Sequence, residues 1–198
     1  MGYAISWLAV KGKSPEVLKK ELGLSPTGEM TEFGDSLYTG RLLPNGWFLL
    51  VINKCDHKFI KANSLALLSS DCEVIASSIE EHVMFSSSEM WKSGIQVWRI
   101  EHDAQKSIEH VAASGNLPAE YSTIKHEHAE EQKQSGGKDA DVDCYFEIPL
   151  HIANNIVGFK HDESDLEDES FEIFQVISSK THGNSADEHG KAPWWKFW

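Results

Sequence analysis

Residues 37–43 and 47–53 are apolar runs held apart by Pro44-Asn45-Gly46, and this pair limits the fold more than any other feature of the chain. A Pro-Asn-Gly spacer between two apolar runs closes an antiparallel hairpin. Further short apolar or β-branched runs lie at residues 3–10, 73–79, 82–86, 95–100, 106–113, 143–148 and 171–177. Ser87-Ser88 and Lys92-Ser93-Gly94 read as the turns that separate the middle group. Helices are fewer. Ser14-Pro15-Glu16 gives an N-cap followed by proline at the first helical position, and Gly23 is a natural stop. Phe59, Ala62, Leu65 and Leu68 fall at helical spacing, residues 118–134 read as a polar surface helix, and 149–157 as a short one. Residues 25–36 read as loop. Strands that outnumber helices and follow one another through hairpin-length loops predict an α+β fold, a single domain with a largely antiparallel sheet and several helices. The domain is expected over residues 1–178, with a polar linker and aromatic tail over 179–198.

Charge narrows the function. Eighteen Lys and Arg stand against 31 Asp and Glu, a formal net charge of −13. Nucleic-acid binding needs a basic surface to release counterions, so no nucleic-acid partner is expected, and an acidic surface suits a basic protein. Cys55, Cys72 and Cys144 are odd in number and form no C-x-x-C pair, which points to buried free thiols in a reducing compartment rather than a disulfide or zinc scaffold. No apolar run approaches a membrane span, so the expected location is cytoplasmic. Met1-Gly2-Tyr3-Ala4-Ile5-Ser6 matches the myristoylation pattern, but the same residues open a β-strand, and the strand is the expectation.

Candidate chemistry is sparse. His126-Glu127-His128 lies in a helix, where i and i+2 face apart, so it is not a metal pair. Glu101-His102-Asp103 contains the His-Asp dipeptide of metal-dependent phosphohydrolases, without their helical setting. Cys55-Asp56-His57 sets a thiol near an imidazole, Ser86-Ser87-Ser88 reads as a turn rather than a nucleophile, and Glu80-Glu81-His82 as exposed charges. Gly12-Lys13-Ser14 lacks the upstream glycine of a phosphate loop. The sequence therefore points away from an enzyme and calls for no metal or cofactor. The enzymatic alternative is a small metal-dependent or Cys/His hydrolase gathering His82, His102, His110 and Cys55 on one face.

Two segments suit a partner. Between residues 162 and 172 stand seven acids, including Asp165, Glu167, Asp168 and Glu169, and no Lys or Arg. The chain then closes on Pro193-Trp194-Trp195-Lys196-Phe197-Trp198, where Trp194, Trp195, Phe197 and Trp198 are anchors of the kind that dominate interfaces. Such a tail docks on its own domain, on a partner, or on a membrane interface, the last opposed by the negative charge. This Pro-Trp-Trp-Lys-Phe-Trp ending resembles the tails of small cytosolic bacterial proteins linked to toxin and immunity systems. The resemblance covers six residues and implies a non-catalytic inhibitor of one cognate toxin, with a basic toxin domain as partner.

Overall fold

The computed structural model describes residues 2–32, 35–163 and 170–177. Four helices and nine strands form one α+β domain. The strands are β1 (Ala4–Lys11), β2 (Leu24–Thr31), β3 (Tyr38–Leu42), β4 (Phe48–Ile52), β5 (Glu73–Glu80), β6 (Phe85–Lys92), β7 (Ile95–Asp103), β8 (Val111–Gly115) and β9 (Phe171–Val176). The helices are α1 (Pro15–Leu22), α2 (Ala62–Leu68), α3 (Tyr121–Gln134) and α4 (Glu147–Val157). All nine strands join one sheet in the order β2-β9-β3-β4-β1-β5-β6-β7-β8, and each neighbouring pair is antiparallel.

Local chemistry explains most of these elements. Ser14 Oγ accepts from Val17 N–H at the start of α1, and Gly23 ends the helix at φ 66°. Pro44-Asn45-Gly46 turns β3 into β4, with Gly46 N–H donating to the Leu43 carbonyl at 3.0 Å. Ser93 and Gly94 both have positive φ between β6 and β7, the backbone of a two-residue hairpin whose twist matches its strands.

Because side chains alternate across a strand, the sheet has two faces with separate cores. On the first, Ile5, Trp7 and Ala9 of β1 and Leu49 and Val51 of β4 pack with Ile148, Ile152 and Val157 of α4 and Ile124 of α3. On the second, Leu8, Val10, Leu50, Ile52, Val74 and Ala76 meet Leu18 and Leu22 of α1 and Leu65 and Leu68 of α2. Each Leu, Ile or Val among them, fully buried, is worth about 1.5–3 kcal/mol of transfer free energy.

Three local expectations need correction. Residues 25–31 are strand, not loop. Pro26 and Gly28 are tolerated because β2 is an edge strand paired only with β9, through a register shift between Pro26 and Met30. Ser86-Ser87-Ser88 is no turn but part of β6. Ser86 Oγ donates to the Phe146 carbonyl (2.6 Å) and Ser88 Oγ shares a hydrogen bond with Ser77 Oγ (2.7 Å), so buried hydroxyls are satisfied inside a sheet. Residues 143–148 are not strand either. Asp143 caps a 3-10 turn, Cys144–Phe146, that runs straight into α4, its Oδ1 accepting from Phe146 N–H. Among the described residues no helix is long and apolar enough to cross a membrane.

Candidate binding surface

The second face of the sheet changes character along β5. Val74 and Ala76 lie beneath the helices, whereas Ser78 and Glu80, the next residues on that face, do not belong to either core. Across the ladder Ser78 opposes Ser87 and Ala76 opposes Glu89; Ser87 then opposes Glu101, and Glu89 opposes Arg99. A run of hydroxyls and charges thus crosses β5, β6 and β7 where a helix would need apolar side chains.

A pocket of about 400 Å³ opens on this polar half-face. The segment leading from β4 toward α2 supplies Cys55, Asp56 and Ile60; β5 supplies Ser78 and Glu80. Ser87, Glu89, Arg99 and Asp103 complete it from β6 and β7. Glu89 is only 6% exposed. Its Oε1 accepts from Arg99 (3.1 Å), and its Oε2 accepts from Trp91 Nε1 (2.9 Å) and from Gln96. Such a carboxylate is tolerated only because donors replace its water. Arg99 also donates to Glu101 (2.8 Å), which takes a second donor from Lys106. Burial pushes the Glu101 carboxyl upward, but the hydrogen bonds from Arg99 and Lys106 outweigh it and leave it below the ordinary carboxylate value.

The candidate nucleophile lies in this pocket without activation. Burial, then the carboxylates of Glu80 and Asp56, push the Cys55 thiol upward, so it stays protonated at neutral pH. His57 is committed elsewhere: its Nδ1 accepts from Phe59 N–H (3.2 Å), which leaves Nε2–H to donate to the Tyr38 hydroxyl (3.2 Å). Burial, aided by Lys58 and Lys54, pulls the His57 pKa down to about 4.

His82, His102 and His110 do not converge on this pocket. His82 is exposed beside Glu80 (2.6 Å). His102 is fully buried on the opposite face, bridging the His110 backbone carbonyl (2.8 Å) and Asp143 (2.9 Å). Because residues alternate along β7, His102 turns away from Glu101 and Asp103, and the His-Asp dipeptide does not act as a unit. His128 meets His151 of α4 at 3.2 Å rather than its sequence neighbour His126. No group of three or more His, Cys, Asp or Glu among the described residues could hold a metal ion. Lys13, the residue of the incomplete phosphate loop, ties α1 to the segment after α2 through Glu21 (2.7 Å) and Asp71 (2.8 Å). Burial lowers the Lys13 pKa, but the hydrogen bonds it donates to Asp71 and Glu21 raise it by more, so the charge is held for structure.

Asp165, Glu167, Asp168 and Glu169, and the tail residues Trp194, Trp195, Phe197 and Trp198, lie outside the described residues. The half-face built by Ser78, Ser87, Glu89 and Arg99 is a site that sequence reasoning missed. Its signal is the interruption of apolar alternation in β5 and β6 by Ser77-Ser78 and Ser86-Ser87-Ser88-Glu89. No family model, curated protein or solved structure matches this chain.

Proposed function

We propose that this chain is a cytoplasmic protein-binding module, an immunity-type inhibitor that masks a basic surface of a bacterial toxin. One observation carries the reading. The stretch of this face that carries Ser78, Glu80, Ser87, Glu89 and Arg99 gives no side chain to either core, and its pocket carries four carboxylates, Asp56, Glu80, Glu89 and Asp103, against the single guanidinium of Arg99. With a formal charge of −13 over the whole chain, this surface steers a basic partner and repels nucleic acid. The protonated Cys55 thiol weighs against hydrolysis at the same place. On sequence grounds Trp194, Trp195, Phe197 and Trp198 add aromatic anchors.

The test is quantitative affinity capture from native lysate with three baits: the wild-type chain, a Glu80→Lys/Asp103→Asn variant, and residues 1–190. Basic proteins held by the wild type and lost by the charge-altered variant, at unchanged unfolding midpoint, support the reading. Loss from residues 1–190 assigns the tail a share. Equal capture of the same basic proteins by all three baits would sink it.

A further inference from the structure

The pocket at the centre of this surface has a chemistry of its own, and the geometry points to its occupant: an arginine side chain presented by the basic partner. The inference rests on the reading of the half-face as a protein-binding surface. Two independent observations support it.

The first is the distribution of charge around a cavity of ligand size. About 400 Å³ falls in the range of small-ligand sites. Arg99 is already held by Glu89 (3.1 Å) and Glu101 (2.8 Å). Asp56 and Glu80 pair only with Lys61 and His82, both of them more than half exposed, and exposed ion pairs of that kind exchange readily for a better one. An anion entering here would meet four carboxylates.

The second is an unmatched hydroxyl. Ser87 is 4% exposed and lines the pocket, yet its side chain has no hydrogen-bond partner among the described residues. Its neighbours on β6, Ser86 and Ser88, face the other way and are both bonded. The Ser87 hydroxyl opens onto the pocket and, with Ser78 directly across the ladder, which also bonds Cys55, offers an acceptor to a donor-rich group entering from solvent. A guanidinium brings five N–H donors in a fixed plane. It can use a hydroxyl at the floor and carboxylates on the walls at once, which a compact ammonium does less completely. Ile60, Val83 and Phe85 also line the pocket and suit the methylene stem of such a side chain.

The test is an amide-resolved NMR titration of the full chain with N-acetyl-arginine amide, with N-acetyl-glutamine amide as the neutral control. The expected result is saturable shifts at Ser78, Ser87 and Asp103 with the arginine compound only. Asp103→Asn and Ser87→Ala, checked for an otherwise native spectrum, each raise the half-saturation concentration, together by roughly three- to tenfold. Shifts no larger than those of the glutamine control, or shifts confined to other surfaces, would overturn the inference. The two readings fail separately. Capture lost in the charge-altered variant without an arginine response removes the arginine pocket and keeps the binding surface. An arginine response with undiminished capture does the reverse.

Discussion

The second face of the sheet is two surfaces built on one backbone. Over β1, β4 and the first half of β5, the alternate residues are Leu8, Val10, Leu50, Ile52, Val74 and Ala76, and α1 and α2 close over them. Over the second half of β5 and the facing parts of β6 and β7 they are Ser78, Glu80, Ser87, Glu89, Arg99 and Glu101, while Trp91, at the far end of β6, still joins the apolar core. Pairing and register are continuous across the boundary, so the ladder does not decide which half a helix covers. The side chains do. A helix laid over the polar half would take the partly exposed Glu80, Arg99 and Glu101 out of water without adding apolar contact, whereas over the apolar half it removes hydrocarbon from water at about 25 cal/mol per Å². One half carries the helices; the other carries the polar pocket.

Substitutions can break this contrast. The largest effect is expected from Leu50→Ala: the side chain is fully buried beneath the helices, so denaturant unfolding should show a loss of about 2–5 kcal/mol. A loss under about 1 kcal/mol would mean that α1 and α2 do not pack as described.

The two halves should also separate in pH. His57 belongs to the packed side, against Tyr38 and Phe59. With a folded pKa of about 4 against 6.5 when unfolded, the unfolded chain binds the extra proton between those values. The stability His57 supplies is therefore complete above pH 6.5 and lost as pH falls toward 4, on the order of 3 kcal/mol. Glu101, on the open side, has a folded pKa below 4.5. Its contribution is complete above that value and lost only as pH falls through the folded pKa. Unfolding curves from pH 8 to 3 should show wild type and His57→Asn converging between pH 6.5 and 4, and wild type and Glu101→Gln converging only once pH falls below 4.5.

Smaller effects mark the open half. Arg99→Ala removes one of the three donors of the 6% exposed Glu89, and is expected to cost about 1–3 kcal/mol. Adding Glu89→Gln should recover part of that loss in a double-mutant cycle; strict additivity would show that the two groups are not coupled. Ser87→Ala, with no bond to lose, should change stability by less than about 0.5 kcal/mol.

Much of this fold is legible in the sequence where local chemistry dictates it. Ser14-Pro15 and Gly23 bound α1, and Pro44-Asn45-Gly46 sets β3 against β4. The parts that are not legible depend on distant partners. Residues 24–31 contain the proline and glycine of a loop and become a strand only because β9, from the other end of the described chain, pairs with them and with β3. The serines of β6 resemble a turn because serine competes locally for backbone hydrogen bonds, and only Ser77 and the Phe146 carbonyl reveal them as strand. Asp143 reads as a strand start, yet acts as a cap and as the partner of His102, 41 residues away. The candidate surface is least legible of all, since alternation shows that Ser78, Ser87 and Glu89 share a face but not that they line a pocket.

The three free cysteines allow the most direct test, because they report both halves without any substitution. Cys55 lines the open pocket and is partly exposed. Cys72 is buried in the packed core, where its thiol donates to the Leu68 carbonyl (3.0 Å) and burial pushes its pKa up to about 11. Alkylation of the native chain at pH 8, followed residue by residue by mass spectrometry, should label Cys55 first and leave Cys72 intact until denaturant reaches the global unfolding transition. Labelling of Cys72 in native buffer at the rate of Cys55 would contradict the division of the sheet into a packed half and an open one.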